Sequence, residues 1–225
     1  MFKTIFLLIS SLLFLSGAIV FAADKPIERI FYAISPVGTS VYEDMGIVDL
    51  LGEKRGLVIF KTDVAGFHDT ERIYSDPKTS FPLWIERYID NMFFGKEFLT
   101  EHYFPVQKRV VIKKYKSKGG KQIQEYKFKA NGPIQNAVLL PFSIRKDPNL
   151  KIGWSTIIRL PVEYKVTLVS LETVDVPAGT FSAFHFTSVP KAFEIWISTD
   201  KERIPVKIKG VGFPYTLVMQ ERSVK

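Results

Sequence analysis

The sequence contains no cysteine, and this absence excludes disulfide bonds and thiolate chemistry. It also lacks the short patterns of several common active sites. There is no G-x-S-x-G nucleophile turn, no glycine-rich phosphate loop and no H-E-x-x-H zinc pattern. We therefore predict a protein that is not an enzyme, that holds no cofactor, and whose fold depends on its apolar core.

Histidine is scarce, and the three histidines show no catalytic spacing. His68 is closely followed by Asp69 and Glu71, which together offer nitrogen and oxygen ligands to a metal. Such short polar groupings are common in turns, however, and transition-metal sites usually need a more defined ligand set. His102 and His185 lie in strand-like segments, and their spacing pairs neither of them with a serine. The sequence predicts no metal site.

The chain begins with a segment that is typical of a secretory signal peptide. Lys3 precedes the apolar run Ile5–Leu15, and small residues follow before Val20 and Ala22. We predict cleavage after Ala22 and export to the periplasm. An uncleaved anchor is the alternative, since Phe2–Ala23 is nearly long enough to span a bilayer. The lack of cysteine excludes a lipid-anchored lipoprotein.

Residues 23–225 are predicted to form one domain of short strands. Apolar and polar residues alternate in segments such as 28–34, 56–64 and 81–89, and turn residues separate these segments. The one convincing helix candidate, "PIQNAVLLPFSIRK", is limited to about two turns by Pro141. This pattern predicts an all-β fold, an antiparallel meandering sheet that curls into a partly open barrel and carries one short helix.

The three tryptophans could serve as stacking platforms for sugar rings. Large aromatic residues in strands are more often part of the core. We therefore predict core positions for Trp84, Trp154 and Trp196.

Positive charge is concentrated in residues 108–129, here called the basic hairpin. Nine of its 22 residues are Lys or Arg and Glu125 is its one acid, so its net charge of +8 equals that of the whole chain. The central "KGGK" predicts a type I′ turn over Gly119–Gly120. Pairing about that turn places Val111 opposite Phe128.

This pairing predicts one apolar and one basic face for the hairpin. Four residues would pack against the body of the protein: Val111, Tyr115, Tyr126 and Phe128. Six lysines, here called the basic prong, would face solvent: Lys114, Lys116, Lys118, Lys121, Lys127 and Lys129.

The basic prong is predicted to contact anionic envelope material, such as anionic lipid, acidic glycan or an acidic protein. Each lysine near an anionic membrane surface can contribute about 1 kcal/mol. Alternatively, the lysines only prevent an exposed sheet edge from pairing with another chain. Nucleic acid is not expected as a partner because the protein is predicted to be exported.

Three short motifs lie in the C-terminal third of the chain: "VPAGTF" (176–181), "IWISTD" (195–200) and "RIPV" (203–206). Together with the helix candidate they resemble the exported bacterial proteins grouped as domain of unknown function 3108, over residues 134–210. The resemblance implies an envelope location and a curled antiparallel sheet, and it implies no activity because the family's function is not established. The family's Asp-x-Leu-Ser before the helix is replaced here by "NAVL" (136–139), which lacks the acid.

The leading functional interpretation is a non-catalytic envelope protein that binds or helps assemble a surface component. A curled sheet rich in Phe can enclose an apolar ligand such as an acyl chain, by analogy with periplasmic lipoprotein carriers. One alternative is a hydrolase of cell-wall glycan or peptide, which needs paired carboxylates or a histidine beside a nucleophile. Another is a structural scaffold with an interior filled by side chains.

Overall fold

The computed structural model describes residues 25–160, 162–210 and 215–225. The predicted signal peptide, residues 1–22, therefore lies outside the described residues. No helix within the described ranges is long and apolar enough to cross a membrane.

The described chain forms fourteen strands and one helix. In chain order they are β1 (Glu28–Ser35), β2 (Thr39–Leu50), β3 (Glu53–Val64), β4 (Phe67–Ser75), β5 (Pro82–Asn91), β6 (Gly95–Phe104), β7 (Arg109–Tyr115), β8 (Gln122–Lys129), α1 (Leu139–Ile144), β9 (Ser155–Arg159), β10 (Glu163–Val176), β11 (Gly179–Val189), β12 (Phe193–Ser198), β13 (Pro205–Gly210) and β14 (Thr216–Val224).

All fourteen strands belong to one antiparallel sheet, in the order β8-β7-β6-β5-β4-β3-β2-β1-β14-β13-β12-β11-β10-β9. Each of two meanders, β1 to β8 and β9 to β14, therefore places sequence neighbours side by side. The pairing of β1 with β14 joins the two meanders, from Glu28 opposite Val224 to Ser35 opposite Thr216. The sheet does not close, because β8 and β9 are its two edges. The predicted all-β meander is confirmed.

Alternation of apolar and polar residues explains why these segments form strands. In β1, Ile30, Tyr32 and Ile34 are buried and the residues between them are half-buried. Ile73 of β4 lies directly opposite Ile85 of β5, and both are fully buried. One face of the sheet thus supplies the apolar core, as period-two patterns predict.

Helix α1 packs between the two meanders. The ring of Phe142 stacks on Tyr42 of β2, with 3.6 Å between centroids. Leu140 belongs to a second core cluster with Val166 and Leu168 of β10. Five of the six residues of α1 are buried, which suits a helix surrounded by protein. The sheet must therefore curl around α1.

Local residues explain where α1 begins. The side-chain oxygen of Asn136 accepts hydrogen bonds from the backbone N–H groups of Val138 (2.9 Å) and Leu139 (3.1 Å). Pro141 lies in the first turn, where its missing N–H would have no partner within the helix. An aspartate could accept the same bonds as Asn136. Asn136 therefore fixes the start of the helix as well as an acid at this position would.

The basic hairpin forms, but its predicted register is wrong by one residue. Val110 lies opposite Phe128 and Ile112 lies opposite Tyr126, whereas the prediction placed Val111 opposite Phe128. Because side chains alternate, this shift moves Tyr126 and Phe128 to the face of Val110 and Ile112. Both aromatic residues are exposed, as is every residue of β8. The prediction that they pack against the body of the protein is therefore wrong.

A bulge and a longer turn produce this shift. The register changes between Lys114 and Tyr115, and the turn spans residues 116–121. A type I′ turn needs positive φ at both central residues. Gly119 has a φ of 75° and Gly120 is not in the left-handed region, so the predicted turn type is also wrong.

Candidate functional site

A cavity of about 750 Å³ lies between α1 and strands of both meanders. This volume falls within the range of roughly 300 to 1,000 Å³ that small-molecule sites occupy. Most of its wall is apolar, and representative lining residues are Ile34, Phe60, Leu140, Phe193, Ile208 and Leu217. Side chains therefore do not completely fill the interior of the curled sheet.

The cavity lies toward one end of the sheet, here called the cavity end. Pro36 and Val37 of the β1–β2 turn line it, as do Val64 and Phe67 on either side of the β3–β4 turn. From the second meander, Ala192 before β12 contributes to the wall. Because neighbouring strands are antiparallel, all of these connections lie at the same end.

Charged side chains interrupt the apolar wall on β4 and β5, where Asp69, Glu71 and Arg87 line the cavity. Nε of Arg87 donates to both carboxylate oxygens of Asp69, at 3.0 and 2.9 Å, and Nη2 of Arg87 also contacts Asp69. The nearest oxygen of Glu71 is 3.7 Å from Nε of Arg87, too far for a hydrogen bond. Within the described ranges the carboxyl group of Glu71 forms no hydrogen bond.

A third acid, Glu101 on β6, lies beside this group and is 8% exposed. Its carboxylate accepts a hydrogen bond of 2.7 Å from the hydroxyl of Tyr103. Burial raises the pKa of Glu101. Three buried carboxyl groups thus share the guanidinium of Arg87, and positive charge is in deficit here.

Burial and the shortage of positive charge around the three acids favour the protonated form of Glu71. Burial raises its pKa to about 7, and the charges of Asp69 and Glu101 act in the same direction while Arg87 opposes them. Near neutral pH, Glu71 is therefore present in both protonated and ionised forms. A protonated carboxyl group can donate as well as accept a hydrogen bond. This wall can bind one polar group of a ligand whose remainder is apolar.

The sequence pattern of β4 could have indicated the buried acids Asp69 and Glu71, which the sequence analysis considered only as metal ligands. Alternation in β4 places Asp69 and Glu71 on the face of the buried Ile73, where two charges are unusual. His68 faces the other way and lies 3.1 Å from Asp63. The trio considered as a metal site therefore does not converge. Within the described ranges, no group of three or more candidate ligands could hold a metal ion.

His185 has polar side chains within hydrogen-bond distance of both of its ring nitrogens. Its Nδ1 lies 2.7 Å from Glu172 and its Nε2 lies 3.1 Å from Glu194. The hydroxyl of Ser170 is 3.4 Å from Nδ1, but it donates a shorter hydrogen bond of 2.8 Å to Glu172. A nucleophilic serine needs a ring nitrogen that is free to accept its proton. Both ring nitrogens of His185 face carboxylates instead.

The His185 ring forms part of a stack across β11, β12 and β13. It lies parallel to the ring of Trp196, with 4.3 Å between centroids, and the ammonium group of Lys207 is 4.6 Å from the Trp196 centroid. Nε1 of Trp196 donates to Glu172 at 2.8 Å. This hydrogen bond is the main reason that the pKa of Glu172 is lowered. The cluster stabilises the sheet.

The tryptophans occupy positions close to those predicted. Trp196 is buried, at 5% exposure. Trp154 is half-buried against the second core cluster, and its Nε1 donates to Asp147 at 3.0 Å. Trp84 is half-buried and stacks with His102, with 5.8 Å between centroids. The predicted core position is confirmed for Trp196 and in part for the other two.

The six lysines of the basic prong do not share one face of the hairpin, because Lys114 pairs with Gln124 whereas Lys127 pairs with Val111. Lys114, Lys118 and Lys127 each form an ion pair with a nearby glutamate, at 2.5, 3.3 and 2.7 Å. The other three form no ion pair with any described residue: Lys116, Lys121 and Lys129. Part of the charge is therefore neutralised within the protein, and contact of the basic prong with anionic material stays a prediction.

Comparison with known proteins supports the fold. No family model matches the chain, and no curated protein matches it. Among solved structures it is similar to the beta-barrel-like protein of domain of unknown function 1849 from Brucella abortus. The two share 10% sequence identity with a TM-score of 0.50, over 90% of this chain and 98% of that chain. A likeness at this identity shows a shared barrel-like fold and nothing further.

Proposed function

We propose that the protein is a non-catalytic, exported cell-envelope protein that binds an apolar, acyl-type ligand inside its curled sheet. The cavity of about 750 Å³ is the observation that carries this proposal. Burial of a ligand's apolar surface contributes roughly 25 cal/mol per Å² before the costs of binding are subtracted. The carboxyl group of Glu71 supplies a polar contact on the cavity wall.

A hydrolase is the second candidate, because Glu71 with its raised pKa lies beside Asp69. A glycosidase, however, needs two carboxyl groups that flank the scissile bond. Asp69 and Glu71 lie two positions apart on β4 and face the same way, and Asp69 is engaged by Arg87. The apolar wall offers few partners for a sugar. Ligand binding without catalysis therefore accounts better for the cavity.

We also propose that the chain is related to the domain of unknown function 3108 proteins. The motifs that carry this resemblance occupy turns of the second meander. Val176 pairs with Gly179 across the turn Pro177–Ala178. The carboxylate of Asp200 accepts hydrogen bonds from the N–H groups of the β12–β13 turn, including that of Arg203 at 3.1 Å. These contacts maintain the fold, so the proposed relationship concerns architecture and envelope location.

Recovery of bound lipid tests the cavity proposal. Residues 23–225 are delipidated, incubated with an envelope lipid extract and re-isolated, and bound molecules are identified by mass spectrometry. We expect an acyl-chain molecule at near-equal molar amount. Val64→Trp, which places a large ring on the cavity wall, should lower the amount recovered.

Val106→Trp is the matched control, because Val106 is 88% exposed in the β6–β7 turn, away from the cavity. It should bind as the wild type does. Recovery of no lipid above the level of an unrelated protein would reject the proposal.

The basic prong carries a separate proposal, that it contacts anionic envelope material. Lys116, Lys121 and Lys129 are available for this contact. Co-sedimentation with anionic and neutral vesicles, at low and high salt, compares the wild type with a variant in which all six lysines are Gln. We expect wild-type binding to anionic vesicles to have a salt-sensitive component, and the variant should lose this component. A membrane role of the basic prong would be rejected if the wild type did not bind anionic vesicles at low salt. It would also be rejected if the variant bound them as strongly as the wild type.

A further inference from the structure

The β5–β6 turn presents three consecutive large apolar residues to solvent. Met92, Phe93 and Phe94, here called the aromatic tip, are 70%, 78% and 81% exposed. Single exposed apolar residues are normal on protein surfaces, but a contiguous group indicates an interaction site.

The backbone N–H groups of the aromatic tip have hydrogen-bond partners within the protein. The side-chain oxygen of Asn91 accepts hydrogen bonds from the N–H groups of Phe93 (2.9 Å) and Phe94 (3.2 Å). The N–H group of Met92 donates to the carbonyl of Gly66 at 2.8 Å. Backbone groups that enter an apolar phase need such internal partners. The tip can therefore enter an apolar phase without unpaired N–H groups.

Strand register places the aromatic tip at the cavity end. Asn91 at the end of β5 pairs with Phe67, which lines the cavity at the start of β4. β6 runs away from this end and β7 returns to it, since Phe98 lies opposite Tyr115. The turn of the basic prong therefore lies at the same end.

We propose that the cavity end docks on an anionic lipid bilayer, with the aromatic tip inserted among the acyl chains. Lys116 and Lys121 of the basic prong would face the head groups. Apolar side chains beside lysines are the combination that binds proteins to membrane interfaces. A second copy of the chain is a less suitable occupant, because it would bring two sets of these lysines together. Docking would also set the cavity beside a source of acyl chains, and this last point rests on the proposed function.

Co-sedimentation of residues 23–225 with vesicles tests the proposal. The variant Met92→Ser/Phe93→Ser/Phe94→Ser retains Asn91 and thus the turn. Its affinity for anionic vesicles should fall about tenfold or more, because burial of even one Phe side chain contributes that much. Wild-type binding that persists at high salt should disappear in this variant. Lys116→Gln/Lys121→Gln should weaken binding at low salt only.

Leu51→Ser/Val106→Ser is the matched control, because these residues are 92% and 88% exposed in turns at the opposite end of the sheet. This control should bind as the wild type does. Unchanged binding by the tip variant would overturn the proposal. A wild-type dimer that the tip substitutions convert to monomer would assign the tip to a second copy and would also overturn it. Docking without any recovered lipid would reject the cavity function and leave docking intact.

Discussion

Two buried carboxylates, Glu28 on β1 and Glu71 on β4, have opposite surroundings. Glu28 accepts hydrogen bonds from Arg145 at 3.1 and 2.5 Å and from Arg222 at 2.7 Å. Although burial alone would raise the pKa of Glu28, these two guanidinium groups lower it. Glu71 shares the single guanidinium of Arg87 with two other acids, and its pKa is raised. Glu28 thus has two guanidinium partners, one of them shared with Glu202, whereas Glu71 and two other acids share a single guanidinium group.

This difference in hydrogen-bond partners indicates that Glu28 has a structural role and that Glu71 belongs to a candidate binding site. Arg145 follows α1 and Arg222 lies on β14, so Glu28 joins the helix to the strands where the two meanders meet. Glu71 lines the cavity without a hydrogen bond from a described residue. Buried polar groups are usually paired because an unpaired one is costly. A carboxyl group on a cavity wall that accepts no hydrogen bond from a described residue therefore indicates a position that a ligand can complete.

The largest effect is expected from breaking the Glu28 site. Glu28→Ala leaves the mostly buried guanidinium group of Arg145 without a carboxylate partner among the described residues and leaves Arg222 only Glu202, so the free energy of unfolding should fall by about 3 to 5 kcal/mol. Urea denaturation at pH 7 measures this loss.

Glu43→Ala is the control, because Glu43 is equally buried but contacts the more exposed Arg29 and Lys61. We expect a smaller loss, of about 1 kcal/mol. Equal losses in the two variants would show that the Glu28 site has no special structural role.

An intermediate, pH-dependent effect is expected from Glu71→Gln. The folded-state pKa of about 7 exceeds the ordinary value of 4.5, so the stability contributed by protonated Glu71 is present below pH 4.5 and is lost as the pH rises through 7. Between pH 5 and pH 8, the unfolding free energy of the wild type should therefore fall relative to that of the variant. The relative fall should be at most about 3 kcal/mol.

Denaturation curves at several pH values measure this difference. Glu221→Gln, at an exposed position on β14, should give a pH profile parallel to that of the wild type. A parallel profile for Glu71→Gln as well would contradict the assigned protonation of Glu71. Glu28 has the opposite sign, since its lowered pKa gives stability that is lost as the pH falls below about 4.5.

The smallest effect on stability is expected from Lys118→Gln, because the ion pair of Lys118 is more exposed to solvent than the sites of Glu28 and Glu71. Lys118 pairs with Glu86 at 3.3 Å and lies within 6.0 Å of the centroid of Tyr88, but its side chain is 58% exposed. Solvent-exposed pairs contribute little, so the unfolding free energy should fall by less than about 1 kcal/mol, and by less still at high salt. A loss above about 2 kcal/mol would show instead that Lys118 anchors the hairpin.

Features that depend on neighbouring residues were predictable from the sequence. The alternation in β1 predicted a strand, and Pro141 correctly limited the helix. The two acids of the candidate site also left a local signal, since Asp69 and Glu71 share a face with Ile73. Arg87, however, joins them from another strand, and only the β4–β5 register places it opposite Glu71. The hairpin register was wrong because one bulge beside Tyr115 reverses the faces of β8.

By itself, the sequence determined that this protein is an antiparallel meander with one short helix and one strongly basic hairpin. Strand alternation, turn residues and local charge are properties of short segments, and they can be read without knowledge of distant contacts. Only the tertiary structure decided that the interior holds a cavity and that Glu71 faces it without a hydrogen bond from a described residue. A sheet's curvature accumulates from small twists across all its strands, and the pKa of a buried group depends on charges carried by other strands. Neither quantity is encoded in any one segment.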